Sequence, residues 1–342
     1  MPHPRTIGVG VIGLGVMGQT HIRAYSAAID SGIPARLVAV CDPDEARRRG
    51  EGGEAGNLGT GGANLFDPAK VHGYADAAHL LADPKVELVS ICTPTDTHVD
   101  LAIAALRAGK HVLLEKPVAI EPEEVRRLAE FAAGIGLLCM PAMCIRFWPG
   151  WDWLHERIKE RTYGELRSLV LQRLGTGPGW NSAFYKDVAR SGGAIIDLHI
   201  HDADFMFWCF GKPVSVRSQG SDQHVTTLYE YAKGPRHTTA EGAWTMHPSA
   251  PYFMRYRAAF EKATVEWDLN RSPQLLVYDD AGVSPIELPP GTGYDGEIRH
   301  ILRAIHAGST KVDATLDDAV AVAEILAAER RSVEFGGEVR LA

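Results

Sequence analysis

At 342 residues, with 45% hydrophobic and 23% charged residues, the chain is long enough for two domains with separate cores. Its formal net charge of −8, with no long block of Lys and Arg to override it, excludes nucleic acid and anionic membrane as expected partners. The longest apolar run (131–145) is shorter than a membrane span and broken by Pro141, and Cys41, Cys92, Cys139, Cys144 and Cys209 form no C-x-x-C. These features, with no leader pattern in MPHPRTIGVGVIG, read as a cytoplasmic protein with reduced thiols.

Strand and helix patterns alternate through the first third. TIGVGVIG (6–13) is a buried-strand run, HIRAYSAAID (21–30) has helical spacing, and RLVAVCD (36–42) is a second strand. DAAHLLAD (76–83), ELVSICT (87–93), DLAIAALRAG (100–109) and HVLLEK (111–116) continue the rhythm, and a helix over 122–134 leads to a strand at 136–142. That alternation predicts βαβ units on a doubly wound parallel sheet, a Rossmann domain over residues 1–142. From 143 to 342 the pattern changes. ELRSLVLQRL, PVSVRSQG, VTTLYEYA, HTTAEGAW, YFMRYRAAF, ATVEWDL and QLLVYD predict a large, mostly antiparallel sheet. Helices at 296–308 and 316–334 close this α+β domain, and its last segment can pack back on the first. The glycine-rich stretch 50–62 reads as a surface loop.

Gly13-x-Gly15-x-x-Gly18 follows the first strand and opens a helix. Gly13 allows the tight turn, Gly15 allows close approach of a pyrophosphate, and Gly18 allows helix and strand to pack. The helix N-terminus, at Val16 and Met17, offers unpaired N–H groups to the phosphates. Asp42 ends the second strand, where its carboxylate can accept hydrogen bonds from a ribose. A carboxylate there repels a 2′-phosphate and favours NAD. Arg47, Arg48 and Arg49 read as the solvated face of a short helix, although one of them could reach such a phosphate, so NADP stays open.

Ligands of open parallel sheets sit beyond the carboxyl ends of the strands. Thr93, Pro94 and His98 of CTPTDTH, and Glu115 and Lys116 of EKP, are therefore expected at the nicotinamide end of the cleft. Farther on, SGGAIIDLHIHDADFMFW predicts a helix over 194–208. Asp197 and His201, four residues apart, then share a face with Asp204, while His199 and Asp202 point elsewhere. The pair His199-x-His201 also resembles the paired histidines of metal-dependent hydrolases. That architecture needs β/α units throughout, and i, i+2 histidines on a helix diverge, so no metal is expected.

The glycine motif, CTPTDTH, AGKHVLLEKPVA and GGAIIDLHIHDAD, in this order and with the closing SVEFGGEVRL, resemble the glucose–fructose oxidoreductase, inositol dehydrogenase and rhizopine-catabolism (Gfo/Idh/MocA) family over nearly the whole chain. The resemblance implies a reaction centre of Lys116, Asp197 and His201. It implies sugars, sugar derivatives or inositols oxidised at a secondary hydroxyl. His201 is then the acid/base, Lys116 stabilises the oxygen, and Asp197 orients His201 or contacts a neighbouring hydroxyl. Substrate contacts are expected from Arg146, Trp180, Tyr185 and Asp204, and from Tyr294, where the family often presents an aromatic residue. Most of the seven tryptophans read as core packing. The exposed face of an open sheet needs cover, which predicts a homodimer or homotetramer through the C-terminal sheet. The alternative from another class is a non-catalytic NAD- and sugar-binding regulator on the same fold.

Overall fold

The computed structural model describes residues 5–53, 64–179 and 181–341. Most of the glycine-rich stretch (54–62) and Trp180 therefore lie outside the described residues. The chain divides into two compact units, Met1–Phe147 with Thr292–Val320, and Trp148–Gly291 with Ala321–Ala342.

In the first unit the strands and helices follow in order as β1 (Ile7–Ile12), α1 (Val16–Asp30), β2 (Ala35–Cys41), α2 (Glu45–Arg48), β3 (His72–Tyr74), α3 (Ala77–Leu81), β4 (Leu88–Ile91), α4 (His98–Arg107), β5 (His111–Leu114), α5 (Pro122–Ala132) and β6 (Cys139–Pro141). The strands form one sheet in the order β3-β2-β1-β4-β5-β6, parallel throughout. β1 and β4 are buried along their whole length, which is why they read as continuous apolar runs rather than as alternation. The order reverses at β1, so β1 and β4 flank the crevice where such sheets take their ligands.

The second unit opens with α6 (Trp151–Glu160) and β7 (Leu166–Leu174), then α7 (Ser182–Lys186), α8 (Val188–Ser191), α9 (Gly193–Asp197) and α10 (Ile200–Phe210). Seven strands follow: β8 (Ser215–Ser221), β9 (His224–Glu230), β10 (His237–Ala243), β11 (Phe253–Phe260), β12 (Thr264–Asp268), β13 (Leu275–Asp279) and β14 (Gly282–Ile286). α11 (Gly293–His306) returns to the first unit, packing on α1. α12 (Leu316–Phe335) begins in the first unit and ends in the second, and β15 (Glu338–Arg340) closes the chain.

The nine strands of the second unit run β14-β13-β12-β11-β7-β10-β9-β8-β15. All pairs are antiparallel except β7 with β10, so the expected sheet is present with one parallel seam. That seam arises because the helices α7 to α10 intervene after β7, and the chain re-enters on β7's far side only after the β8–β9 hairpin. Trp151 and Trp267 are fully buried, and Trp151 meets Phe205, Tyr256 and Trp267 edge-on at 4.9, 5.2 and 5.8 Å. These tryptophans are core, as expected for most of the seven.

Candidate active site

The glycine loop of the first unit behaves as the motif requires. Gly13 has φ +85°, and a Cβ on Gly18 would lie 1.8 Å from the Gly13 carbonyl oxygen, so both positions demand glycine for the fold itself. Gly15 differs: a Cβ there meets nothing within 4 Å. The chain's own packing does not ask for a glycine at that point, which leaves a cradle for a ligand against bare backbone. Gly15 is also the N-cap of α1 and supplies no side-chain cap, so the first-turn N–H groups at Val16 and Met17 face that cradle without a capping partner. These residues fit a dinucleotide pyrophosphate.

Asp42 is buried at the end of β2, accepting from the Leu14 N–H at 2.8 Å and the Asp44 N–H at 2.9 Å. The carboxylate is thus locked to the glycine loop. Arg48 donates to the Asp42 and Pro43 carbonyls, whereas the half-exposed Arg47 lies 3.7 Å from the Asp42 carboxylate.

Across the switch point, the Thr93 hydroxyl bonds the Thr97 hydroxyl at 2.7 Å, and Thr97 donates to the Pro94 carbonyl. His98 is buried, with Nδ1 2.7 Å from the Pro117 carbonyl and Nε2 2.8 Å from that of Thr93. Burial lowers its pKa against the pull of both carbonyls. Expected on the cofactor, His98 sits between the CTPTDTH and EKP turns, its neutral ring donating to one of the two carbonyls at a time.

Glu115 and Lys116 leave β5 together. Glu115 Oε2 accepts from the Lys116 N–H at 3.1 Å, and Oε1 lies 2.9 Å from His21 Nε2. His21 Nδ1 lies 3.2 Å from the Ser90 hydroxyl, which meets the Tyr25 hydroxyl at 2.8 Å. Glu297 of α11 completes the group, with Oε1 3.8 Å from His21 Nε2. Burial works to raise the pKa of Glu115, but the hydrogen bond and charge of His21 and the charge of Lys116 outweigh it and hold it low. Burial and the neighbouring Glu115 push Glu297 well above the usual carboxylate range. Sequence reasoning missed His21 and Glu297, which lie far from EKP in the chain. The one available signal was a histidine inside the apolar face of α1.

In the second unit the expected continuous helix over 194–208 is broken. α9 ends at Asp197 and α10 begins at Ile200, with the His199 N–H reaching back five residues to the Ala194 carbonyl at 2.8 Å. The cause is His199 itself. Its ring lies against Gly242 of β10, where a Cβ would come within 2.9 Å of Nδ1, and its Nε2 is 3.2 Å from both the Glu329 carboxylate and the Tyr229 hydroxyl. Seating that ring pulls the backbone out of register for one turn. Asp202 pairs with Arg173 through two bonds of 3.1 and 3.0 Å. His199 and Asp202 thus anchor the helix joint to β7, β9 and α12. Asp197 is half-buried at the joint, and His201 and Asp204 are buried on α10.

The remaining expected contacts divide in the same way. Tyr185 of α7 packs edge-on against Trp244 at 5.6 Å, beside Ala194 and Leu198. Tyr294 is half-buried in the first turn of α11. Arg146, also expected at the substrate, is buried in the first unit, bonded at 2.7 Å to Asp318 and at 2.7 Å to the Asp313 carbonyl. Its guanidinium braces the start of α12.

Two family models match the chain. One, described as an oxidoreductase family with an NAD-binding Rossmann fold, covers residues 7–143, and a GFO/IDH/MocA C-terminal domain covers 151–266. Inositol 2-dehydrogenase 2 of Saccharopolyspora erythraea is 32% identical over 61% of this chain and 55% of its own length. D-glucoside 3-dehydrogenase of Escherichia coli is 30% identical over 60% of this chain and 54% of its own. The matched region thus spans about half the length of these curated relatives. A levoglucosan dehydrogenase solved with NADH superposes with a TM-score of 0.84 at 21% identity, covering 99% of this chain and 100% of that one, a likeness of fold.

Proposed function

The chain belongs to the Gfo/Idh/MocA oxidoreductase family, and from that premise we propose that it is an NAD-dependent dehydrogenase oxidising a secondary hydroxyl of a sugar, sugar derivative or inositol. The observation that carries the reading is the reserved cradle at Gly15 in the same unit as the Lys116 turn.

In this reading the backbone of the glycine loop and α1 N-terminus holds the pyrophosphate, Asp42 holds the adenosine ribose, and Thr93 and Pro94 border the nicotinamide end. NAD, when bound, supplies the hydride acceptor. His201 takes the proton from the substrate hydroxyl, and its burial keeps competing water from that ring. The Lys116 ammonium donates to the same oxygen and stabilises its developing negative charge. Asp197, at the joint before His201, orients the imidazole or accepts from a neighbouring hydroxyl. Tyr185, Asp204 and Tyr294 are proposed substrate contacts. Arg146 and His98 are assigned structural duties, the first at α12 and the second between the two cofactor-facing turns. The open face of the nine-stranded sheet carries cross-strand polar bonds, among them Gln172 to Glu241 at 2.7 Å, and an exposed Leu228. It is the proposed contact of a homodimer or homotetramer, and a monomeric mass by light scattering would refute that.

The test is a spectrophotometric screen of sugars and inositols with NAD and NADP. Turnover of at least one polyol is expected, and Lys116→Ala or His201→Ala should each lower kcat on the order of 10²–10⁴-fold without loss of fold. Tight NADH binding with no turnover of any polyol would overturn the reading in favour of a non-catalytic regulator.

A further inference from the structure

The cluster beneath the EKP turn holds more carboxylate than its partners balance. Glu297 is fully buried, and among the described residues neither of its carboxyl oxygens has a hydrogen-bond partner. The ligand-type atoms of His21, Glu115 and Glu297 all lie within 4.8 Å of one another. Two buried carboxylates at that range cannot both be charged without a counterion between them. His21 Nε2 sits at hydrogen-bond distance, 2.9 Å, from Glu115 Oε1, and a proton on Glu297 removes the need for such a counterion. Glu115, bonded to His21 and to the Lys116 N–H, is the better-solvated carboxylate of the two. A line of contacts runs from the Tyr25 hydroxyl to Ser90, from Ser90 to His21 Nδ1, and from His21 Nε2 to Glu115.

We propose that Glu297 is a positioning residue for Lys116: a neutral carboxylic acid whose proton leaves Glu115 a single buried anion, bonded to His21 on one side and seating the Lys116 turn on the other. This rests on Lys116 acting at the reaction centre. Glu297 reaches the turn from α11, a helix that returns to the first unit from far along the chain, so the charge beneath the catalytic lysine is set by a segment outside the Rossmann sequence. The titratable and charged groups around it are His21 and Tyr25 of α1, Cys92 after β4 and Glu115 after β5, with His98 of α4 and Lys116 acting on Glu115. All six are buried or half-buried, and the charges of Glu115 and Lys116 favour each other.

The experiment compares the full-length protein with Glu297→Gln, the isostere of the neutral acid, and with Glu115→Gln. Difference infrared spectra at neutral pH should show the carbonyl stretch of a buried carboxylic acid in the parent protein and not in Glu297→Gln. The pH dependence of Lys116 acylation, followed by mass spectrometry, should be the same in the parent and Glu297→Gln. In Glu115→Gln its midpoint should fall by about one pH unit, a roughly tenfold faster reaction at a given pH below the midpoint. A missing carboxylic-acid band would overturn the proposal, as would a Glu297→Gln midpoint displaced as far as that of Glu115→Gln. So would a stoichiometric divalent metal in the purified protein that Glu297→Gln loses. These readouts need no substrate, so a protein that turns over no polyol can still show the band and the acylation pattern, and the two readings fail separately.

Discussion

In the first unit His21 meets Glu115 and Glu297. In the second His199 meets Glu329, while Arg173 holds Asp202 a turn away. All seven side chains are buried. The second cluster is balanced by a guanidinium that also lies over the Trp151 ring at 5.4 Å, and it anchors a helix joint. The first has no arginine, and its excess carboxylate is relieved by a proton. The difference separates a cluster in which Arg173 holds one carboxylate with a fixed charge from one in which two carboxylates share a histidine beneath the Lys116 turn. A fixed cation makes a buried pair insensitive to pH, whereas a shared proton makes it titratable.

The largest expected effect breaks the balanced cluster. Arg173→Met leaves Asp202 buried without its cation and should cost about 3–5 kcal/mol in urea unfolding. Arg173→Met with Asp202→Leu removes both charges and should recover most of that loss. A double variant as unstable as the single one would mean that the pair's value lies in its bidentate geometry rather than in mutual neutralisation.

The two clusters should also respond to pH in different windows. Burial works to lower the pKa of His199, but the charge and hydrogen bond of Glu329 outweigh it, so the net direction is up. A raised folded-state pKa contributes stability that is fully present below the ordinary histidine value, about 6.5, and is lost as pH rises through the folded value. Glu329→Gln should therefore be most destabilising near pH 6, with its deficit shrinking as pH rises. Glu297 is raised mainly by burial, so its contribution is present below about 4.5 and is lost as pH rises through its folded value. Glu297→Gln should thus gain on the parent protein between about pH 4.5 and 7, by at most about 1.4 kcal/mol per pH unit. Denaturant midpoints across pH 4–9 check both, and parallel curves for all three proteins would remove the contrast.

How much of this was legible beforehand follows from how far apart the partners lie in the chain. The glycine loop, Asp42, the CTPTDTH turn and EKP could be read because each is a local backbone requirement at a strand end. The antiparallel second half was plain from alternation along its strands. The parallel seam of β7 with β10 was not, because strand direction across a long excursion leaves no local trace. His199 and Asp202 could be assigned to the far side of their helix by spacing alone. Their partners Arg173, Tyr229 and Glu329 come from three other elements, and no periodicity pairs residues so distant. The break at Leu198–His199 was equally hidden, since GGAIIDLHIHDAD has no glycine or proline at the joint and the cause, the bare backbone of Gly242, lies on another strand. Arg146 read as a substrate residue because a lone arginine after the last strand looks available. Its acceptors are the Asp313 carbonyl and the Asp318 carboxylate, both far along the chain.

The smallest effect sharpens the comparison with one substitution made twice. Tyr25 and Tyr229 are both buried, so Tyr→Phe removes the same hydroxyl from similar surroundings. Tyr25 bonds the neutral Ser90 hydroxyl at 2.8 Å, whereas the Tyr229 oxygen lies 3.2 Å from Nε2 of His199, an imidazole held toward its cationic form. A hydrogen bond between neutral partners contributes about 0.5–1.5 kcal/mol, and one to a charged group about 1.5–3. Tyr229→Phe should therefore cost roughly 1 kcal/mol more than Tyr25→Phe near pH 6, where His199 carries its proton. The gap should narrow as pH rises, because His199 loses its proton in that range, while the Glu329 carboxylate that also bonds Tyr229 keeps part of the difference. Equal costs at pH 6, or a gap unmoved by pH, would mean that His199 is not the charged partner its carboxylate neighbour implies.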